Sequence, residues 1–251
     1  MTGFPSRSAE PGLELPPGHI HVWSLRLDPP PERVEELGRA LSADEWTRAN
    51  RFRFDRHRRQ YVVGRGALRA LLATYLGTHP ELVTFSYGPR GKPYLAAPSA
   101  AGGLQFNLSN SDERALVGFV RGIEIGVDIE YMKPMPDLEQ IAERFFSLSE
   151  REALRSLPPE VKPEGFFNCW TRKEAYLKAV GEGLAAPLDS FDVTLAPGEP
   201  PRMLTLEGDA ARAARWSFRH FRPAEQYIGA LAIEGEAPGG REWTVSTWML
   251  G

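Results

Sequence analysis

A serine and a glutamate three residues apart occur ahead of a long helical pattern at two places in this chain. The first is Leu41-Ser42-Ala43-Asp44-Glu45 and the second Leu148-Ser149-Glu150-Arg151-Glu152. At that spacing the serine accepts a first-turn backbone N–H and the glutamate reaches back to the serine N–H, which marks a helix start. After the first box, Tyr61, Leu68, Leu71, Leu72 and Tyr75 recur at helical spacing between Gln60 and Leu76, and Gly77 ends the run. After the second, Phe166 to Val180 reads as a helix ended by Gly181 or Gly183. Another helix fits Pro31 to Ala40. Strands are expected over 19–25, 82–87, 104–108, 115–120 and 124–130, then over 191–195, 216–221, 227–233 and 243–248. A unit repeated at this length predicts an α+β fold of two pseudo-symmetric α/β halves with a ligand cleft between them. The expected boundaries are a loose tail over 1–18, a first half over 19–131, and a linker with the second half over 132–251. Four prolines and no apolar run mark the tail; Pro134 and Pro136 mark the linker.

A net charge of -3 argues against bulk attraction to nucleic acid or an anionic membrane. No signal peptide is read, and no apolar segment is long enough to span a bilayer. One cysteine, Cys169, cannot form an internal disulfide and suits a reducing, cytoplasmic setting, as a buried structural thiol.

The chemistry concentrates in Gly126-Val127-Asp128-Ile129-Glu130 and in Trp170-Thr171-Arg172-Lys173-Glu174-Ala175-Tyr176-Leu177-Lys178. On a strand, residues i and i+2 share a face, so Asp128 and Glu130 point together while Ile129 points into a core. Adjacent carboxylates repel unless a cation lies between them, and magnesium takes one or two carboxylates plus substrate phosphate. Taken alone, such a pair also suits an exposed strand end. Glu174 and Lys178 share a helix face, either as a surface ion pair or aimed into a cleft. Lys173 and Lys178 are both available to phosphate oxygens. Arg90 and Lys92 stand in a Gly-Pro turn, Phe106 to Ser111 ends in a polar turn holding Ser109 and Asn110, and Arg48, Arg65 and Arg69 add positive charge. Together these predict an enzyme that moves a phosphate-containing group.

Asn107-Leu108-Ser109, Gly126 to Glu130, Arg144-Phe145-Phe146-Ser147 and Trp170 to Lys178, with Gly91-Lys92-Pro93 upstream, resemble the Sfp-type 4'-phosphopantetheinyl transferases in order and spacing. The resemblance runs from about Leu41 to Val193. It implies transfer of the phosphopantetheine arm of coenzyme A to a serine of an acyl or peptidyl carrier protein of fatty acid, polyketide or peptide synthesis, with release of 3',5'-ADP. It further implies a monomer whose cleft holds coenzyme A and magnesium, with manganese as the alternative metal. By position, Asp128, Glu130 and Glu174 would hold the metal, and Lys178 would contact the pyrophosphate with Lys173 nearby. Lys92 and its turn would face the adenosine; Arg48, Arg65, Arg90, Ser109 and Asn110 would bind the rest of coenzyme A, the 3'-phosphate included. Either Glu150 or Glu174 would serve as base for the carrier serine. The carrier would dock near Met132 to Ser147, with Lys133, Arg144, Phe145 and Phe146 as contacts.

Departures from the family pattern are Asn110, where many relatives have histidine, Asp112 close by, and Glu45, where some have lysine. Two other readings use the same groups: a magnesium-dependent phosphohydrolase of a nucleotide, and a non-catalytic coenzyme A or carrier-binding module.

Overall fold

The repeat of the capped-helix unit reappears in the hydrogen-bonded order of the strands. In the computed structural model, which describes residues 4, 6–7, 12–89, 91–97, 99–100, 102–181 and 187–250, a two-residue strand β1 (Ser6–Arg7) precedes the first unit. That unit runs β2 (His19–Arg26), α1 (Pro31–Gly38), α2 (Ala43–Ala49), α3 (Asp55–Leu76), the hairpin β3 (Phe85–Tyr87) and β4 (Pro93–Leu95), then β5 (Leu104–Ser111) and β6 (Arg114–Arg121). The second runs β7 (Ile125–Tyr131), α4 (Leu138–Phe145), α5 (Leu148–Ser156), α6 (Lys162–Val180), the hairpin β8 (Phe191–Val193) and β9 (Met203–Leu206), a short α7 (Ala210–Ala213), then β10 (Trp216–Phe221) and β11 (Tyr227–Glu234). In each unit the last strand lies between the other two, β2-β6-β5 and β7-β11-β10, with antiparallel pairing throughout. The fold is α+β and duplicated, as expected.

Three boundaries differ from the sequence reading. Strand β7 opens the second unit, so that unit begins near residue 125 and not at 132: β7 is hydrogen-bonded to β11. The last strand, β12 (Thr244–Leu250), returns to the first sheet and pairs in parallel with β2. The first eighteen residues are also not a loose tail where they are described. Leu15 and Phe4 are buried, Gly12 N–H donates to Thr74 O, and β1 pairs with β12.

The sheets pack between the long helices. On β2, Trp23 and Leu25 face the core of the first unit, with Leu68, Leu71 and Leu72 of α3. Ile20 and Val22 alternate with them and face Val127, Ile129 and Leu231 in a core shared by both sheets. A third cluster joins Phe166, Ala175 and Leu177 of α6 to Ile228 and Ala230 of β11. Both faces of the central strands are therefore buried, and each fully buried large side chain contributes about 2 kcal/mol. Both long helices end at glycines with positive φ, Gly77 at 63° and Gly181 at 76°. Among the described residues no helix is long and apolar enough to cross a membrane.

Within the second unit, α6 lies unusually close to β7. A Cβ at Gly126 would fall 1.9 Å from Ala175 O and 2.4 Å from Ala179 N, so only glycine admits the helix backbone there. Ala175 and Ala179, one turn apart, complete the close fit and carry their neighbours Glu174 and Lys178 to the carboxylates of β7.

Each capping box anchors its unit through one buried ion pair. Ser42 N–H donates to Glu45, which accepts from Arg69 at 2.7 Å; Arg69 also donates to Pro80 O and Val83 O. In the second unit Ser147 N–H donates to Glu150, which pairs with Lys173 at 2.8 Å; Lys173 also donates to Leu188 O and Phe191 O. The cap of α5 is therefore Ser147, two residues before the serine expected from the sequence. Ser147 and Ser149 both precede a glutamate at the right spacing, but Glu150 is buried and Glu152 exposed.

Candidate active site

Strands β5 and β7 belong to different sheets, and side chains join them. Asn107 Oδ1 accepts Val127 N–H at 2.9 Å, Ser109 donates to Asp128 Oδ1 at 2.8 Å, and Ser111 donates to Glu130 Oε2 at 2.6 Å. Period-two alternation places these three on one face of β5 and leaves Leu108 and Asn110 on the other, where they line a cavity. Lys178 Nζ on α6 lies 2.6 Å from Asp128 Oδ1 and 2.7 Å from Ser109 Oγ.

Three carboxylates meet here. Glu174 is pushed up to about 7 by burial and by the charges of Asp128 and Glu130, against the opposing pull of Lys178. Glu130 is raised by burial and then by Asp128. Asp128 Oδ2 and Glu174 Oε1 are buried and take no hydrogen bond from the described residues. Among those residues no three His, Cys, Asp or Glu side chains already form a ligating cage, and Lys178 pairs with one oxygen of Asp128. Asp128 raises the proton affinity of both Glu130 and Glu174, and Asp128 Oδ2 and Glu174 Oε1 are left without a hydrogen bond, a donor set whose chemistry suits a hard divalent cation. Asp128, Glu130 and Glu174 are the residues that could hold it.

Beside them lies a cavity of about 790 Å³ between the two units. The first unit contributes Arg48, Arg56, His57, Gln60, Tyr61 and Arg65; the second contributes Glu130, Lys133, Met135, Ile141, Phe166 and Trp170. The arginines of this lining come from the first unit, and Met135, Ile141, Phe166 and Trp170 come from the second. Arg65 is bound by Glu45 at 3.4 Å and retains a buried Nη1 without a partner. Asp112 pairs with Arg56, so its charge is offset at the cavity edge.

Several expected residues stand elsewhere. Lys173 is 1 % exposed and Glu150 2 %, and neither lines the cavity. Every oxygen of Glu150 is engaged, by Ser147 N–H, Val193 N–H and Lys173, which leaves no free lone pair directed at a substrate. Their reading as base and phosphate ligand is corrected to a structural pair. Lys92 donates to Glu124 and to Lys178 O at the end of α6, and its neighbours Gly91 and Pro93 face the cavity instead. Ser109 faces Asp128. Arg90 lies outside the described residues. Sequence reasoning missed Arg56, His57, Gln60, Tyr61 and Ser111. The first four belong to an α3 stripe, 56-57-60-61-64-65-68, whose helical spacing was available to find them.

Comparison with known proteins bears on this site. The family model described as the 4'-phosphopantetheinyl transferase superfamily matches residues 124–232, and that described as 4'-phosphopantetheinyl transferase, N-terminal, matches 26–118. The 4'-phosphopantetheinyl transferase HetI of Nostoc sp. is 44 % identical over 225 residues, 90 % of this chain and 92 % of that protein. The chain belongs to the 4'-phosphopantetheinyl transferase family. Other similar members are the 4'-phosphopantetheinyl transferase of Bacillus subtilis, 34 % identical over 70 % of this chain and 77 % of that one, and a human relative. The latter, L-aminoadipate-semialdehyde dehydrogenase-phosphopantetheinyl transferase, is 27 % identical over 81 % of this chain and 71 % of its own length. The two matched regions of this transferase coincide with the two structural units, and the cavity lies between them.

Proposed function

We propose that the chain transfers the 4'-phosphopantetheine arm of coenzyme A to a serine of an acyl or peptidyl carrier protein and releases 3',5'-ADP. The observation that carries this reading is the pairing of partnerless carboxylate oxygens, on Asp128 and Glu174, with a cavity that Glu130 adjoins and that Arg48, Arg56 and Arg65 line. A pyrophosphate ester with an extended, weakly polar arm matches that polarity: phosphates toward Arg48 and Arg65, the arm toward Met135, Ile141 and Trp170.

In the reaction the serine hydroxyl oxygen attacks the phosphorus that carries the pantetheine arm. The bond from that phosphorus to the 3',5'-ADP oxygen breaks, and 3',5'-ADP leaves with the electron pair. Lys178, beside Asp128, would offset charge on the phosphate oxygens. Glu174 accepts the serine proton; its value of about 7 describes the metal-free site, and a cation held there would draw it down. Magnesium or manganese, held by Asp128, Glu130 and Glu174, would supply neutralisation of the pyrophosphate. Lys133, Met135 and Ile141 lie both in the docking segment 132–147 and on the cavity wall, which supports entry of the carrier from that side. Both walls of the cleft come from one chain, which supports action as a monomer.

The test is release of 3',5'-ADP from coenzyme A with and without an apo carrier. Release that requires the carrier is expected. Equal release without it would replace this reading by the phosphohydrolase.

A further inference from the structure

We propose that Ser111 is a positioning residue that aims the Glu130 carboxylate at the cation; this rests on the reading of Asp128, Glu130 and Glu174 as the metal-holding set. The direction of the Ser111 hydroxyl proton decides which oxygen it serves. Ser111 Oγ accepts Tyr131 N–H at 3.1 Å, so the proton is directed to its other neighbour, Glu130 Oε2, at 2.6 Å. A hydroxyl holds one proton, and this pairing uses it. Ser111 thereby ties one oxygen of Glu130 to β5, and Glu130 Oε1 takes no hydrogen bond among the described residues.

The same device appears two residues earlier. Ser109 Oγ accepts from Lys178 Nζ and donates to Asp128 Oδ1, and Asp128 Oδ2 is left buried and unpartnered. Asn107 pins the register by taking Val127 N–H. One face of β5 thus binds one oxygen of each β7 carboxylate and leaves the other available. Glu130 needs this help most, having three side-chain torsions and standing at the half-buried end of β7. Without Ser111 its oxygens are free to turn to Lys133 or water, and the separation between the ligand oxygens is no longer set.

The test measures cation affinity apart from catalysis. Manganese is titrated into wild type, S111A and S111T, each full length and without coenzyme A, with free Mn2+ read by its paramagnetic resonance signal. The concentration of magnesium giving half-maximal transfer is measured on the same proteins. The expected result is a three- to tenfold weaker affinity for S111A, a matching rise in half-saturating magnesium, and recovery to within twofold in S111T, whose hydroxyl can make both bonds. Unfolding midpoints are recorded alongside, because a purely structural role would lower the midpoint and leave the affinity of the folded protein unmoved. Wild-type affinity in S111A overturns the proposal while the metal reading stands. No manganese bound by wild type, together with transfer unaffected by chelator, overturns the metal reading and this proposal with it.

Discussion

Glu150 and Lys173 are held 2.8 Å apart at 2 % and 1 % exposure, in the place that Glu45 and Arg69 occupy in the first unit. In both, the carboxylate closes a capping box, and the cation pins the carbonyls of a one-turn helix and the residue that follows. The pair is a buried anchor of its unit and does not line the cavity. Removing one partner strands the other charge in the interior, which costs about 3–5 kcal/mol. K173A is therefore expected to lower stability by that amount in urea unfolding, and E150Q/K173M to recover part of the loss. A K173A protein as stable as wild type, with a raised Michaelis constant for coenzyme A, would return Lys173 to the phosphate site.

Registering the units on these pairs shows how the work is divided. Arg48 and Arg65 correspond to Ala153 and Cys169, whereas Glu174 and Lys178 correspond to Ala70 and Thr74. The first unit keeps the arginines, and the second keeps the carboxylates together with Lys178. R65A is expected to raise the Michaelis constant for coenzyme A about tenfold with a smaller change in turnover number, because it removes a contact present in ground and transition states alike. An unchanged constant in folded R65A would remove Arg65 from the site.

Gly126 allows α6 to lie on β7, so its effect reaches the site through backbone. G126A places a methyl group 1.9 Å from Ala175 O, which forces helix and strand apart. The expected outcome is a loss of several kcal/mol, as overpacking against rigid backbone costs more than the usual ~1–3 kcal/mol. Circular dichroism melts of G126A check this, and a wild-type melt would contradict it.

Titration of Glu174 gives a pH signature in protein treated with chelator. Its folded value of about 7 lies above the ordinary carboxylate value of about 4.5, so the folded protein binds the extra proton between them. Stability attributable to this group is fully present below about pH 4.5 and is lost as pH rises through about 7. With allowance for the part of the side chain that meets water, the loss is about 1 kcal/mol. E174Q should match wild type near pH 4 and exceed it by that amount near pH 8 in chemical unfolding. A wild type that gains stability over this range relative to E174Q would contradict the assigned burial.

Much of this was legible in the sequence because its signals are local. The box at Ser42, the terminating Gly77 and Gly181, and the alternation through β7 each act within a few residues, whereas at α5 the sequence offered Ser149 with Glu152 and burial selects Ser147 with Glu150. Family membership followed from two spaced motifs. What the sequence did not settle is which charges are interior. Lys173 and Lys178 stand five residues apart on one helix, yet one meets Glu150 in the core and the other Asp128 beside the cavity. Only the packing of α6 against β7 and β8 separates them. The pairing of β12 with β2 was equally hidden, since it depends on residues more than two hundred positions apart.

Transfer to a carrier is read from the intact mass of an apo carrier protein after incubation with this protein, coenzyme A and magnesium, with a chelator control. The expected result is a gain equal to one phosphopantetheine arm on the carrier serine, absent with chelator and absent with D128A. No gain across fatty acid, polyketide and peptide carriers, with coenzyme A bound or consumed, would contradict it.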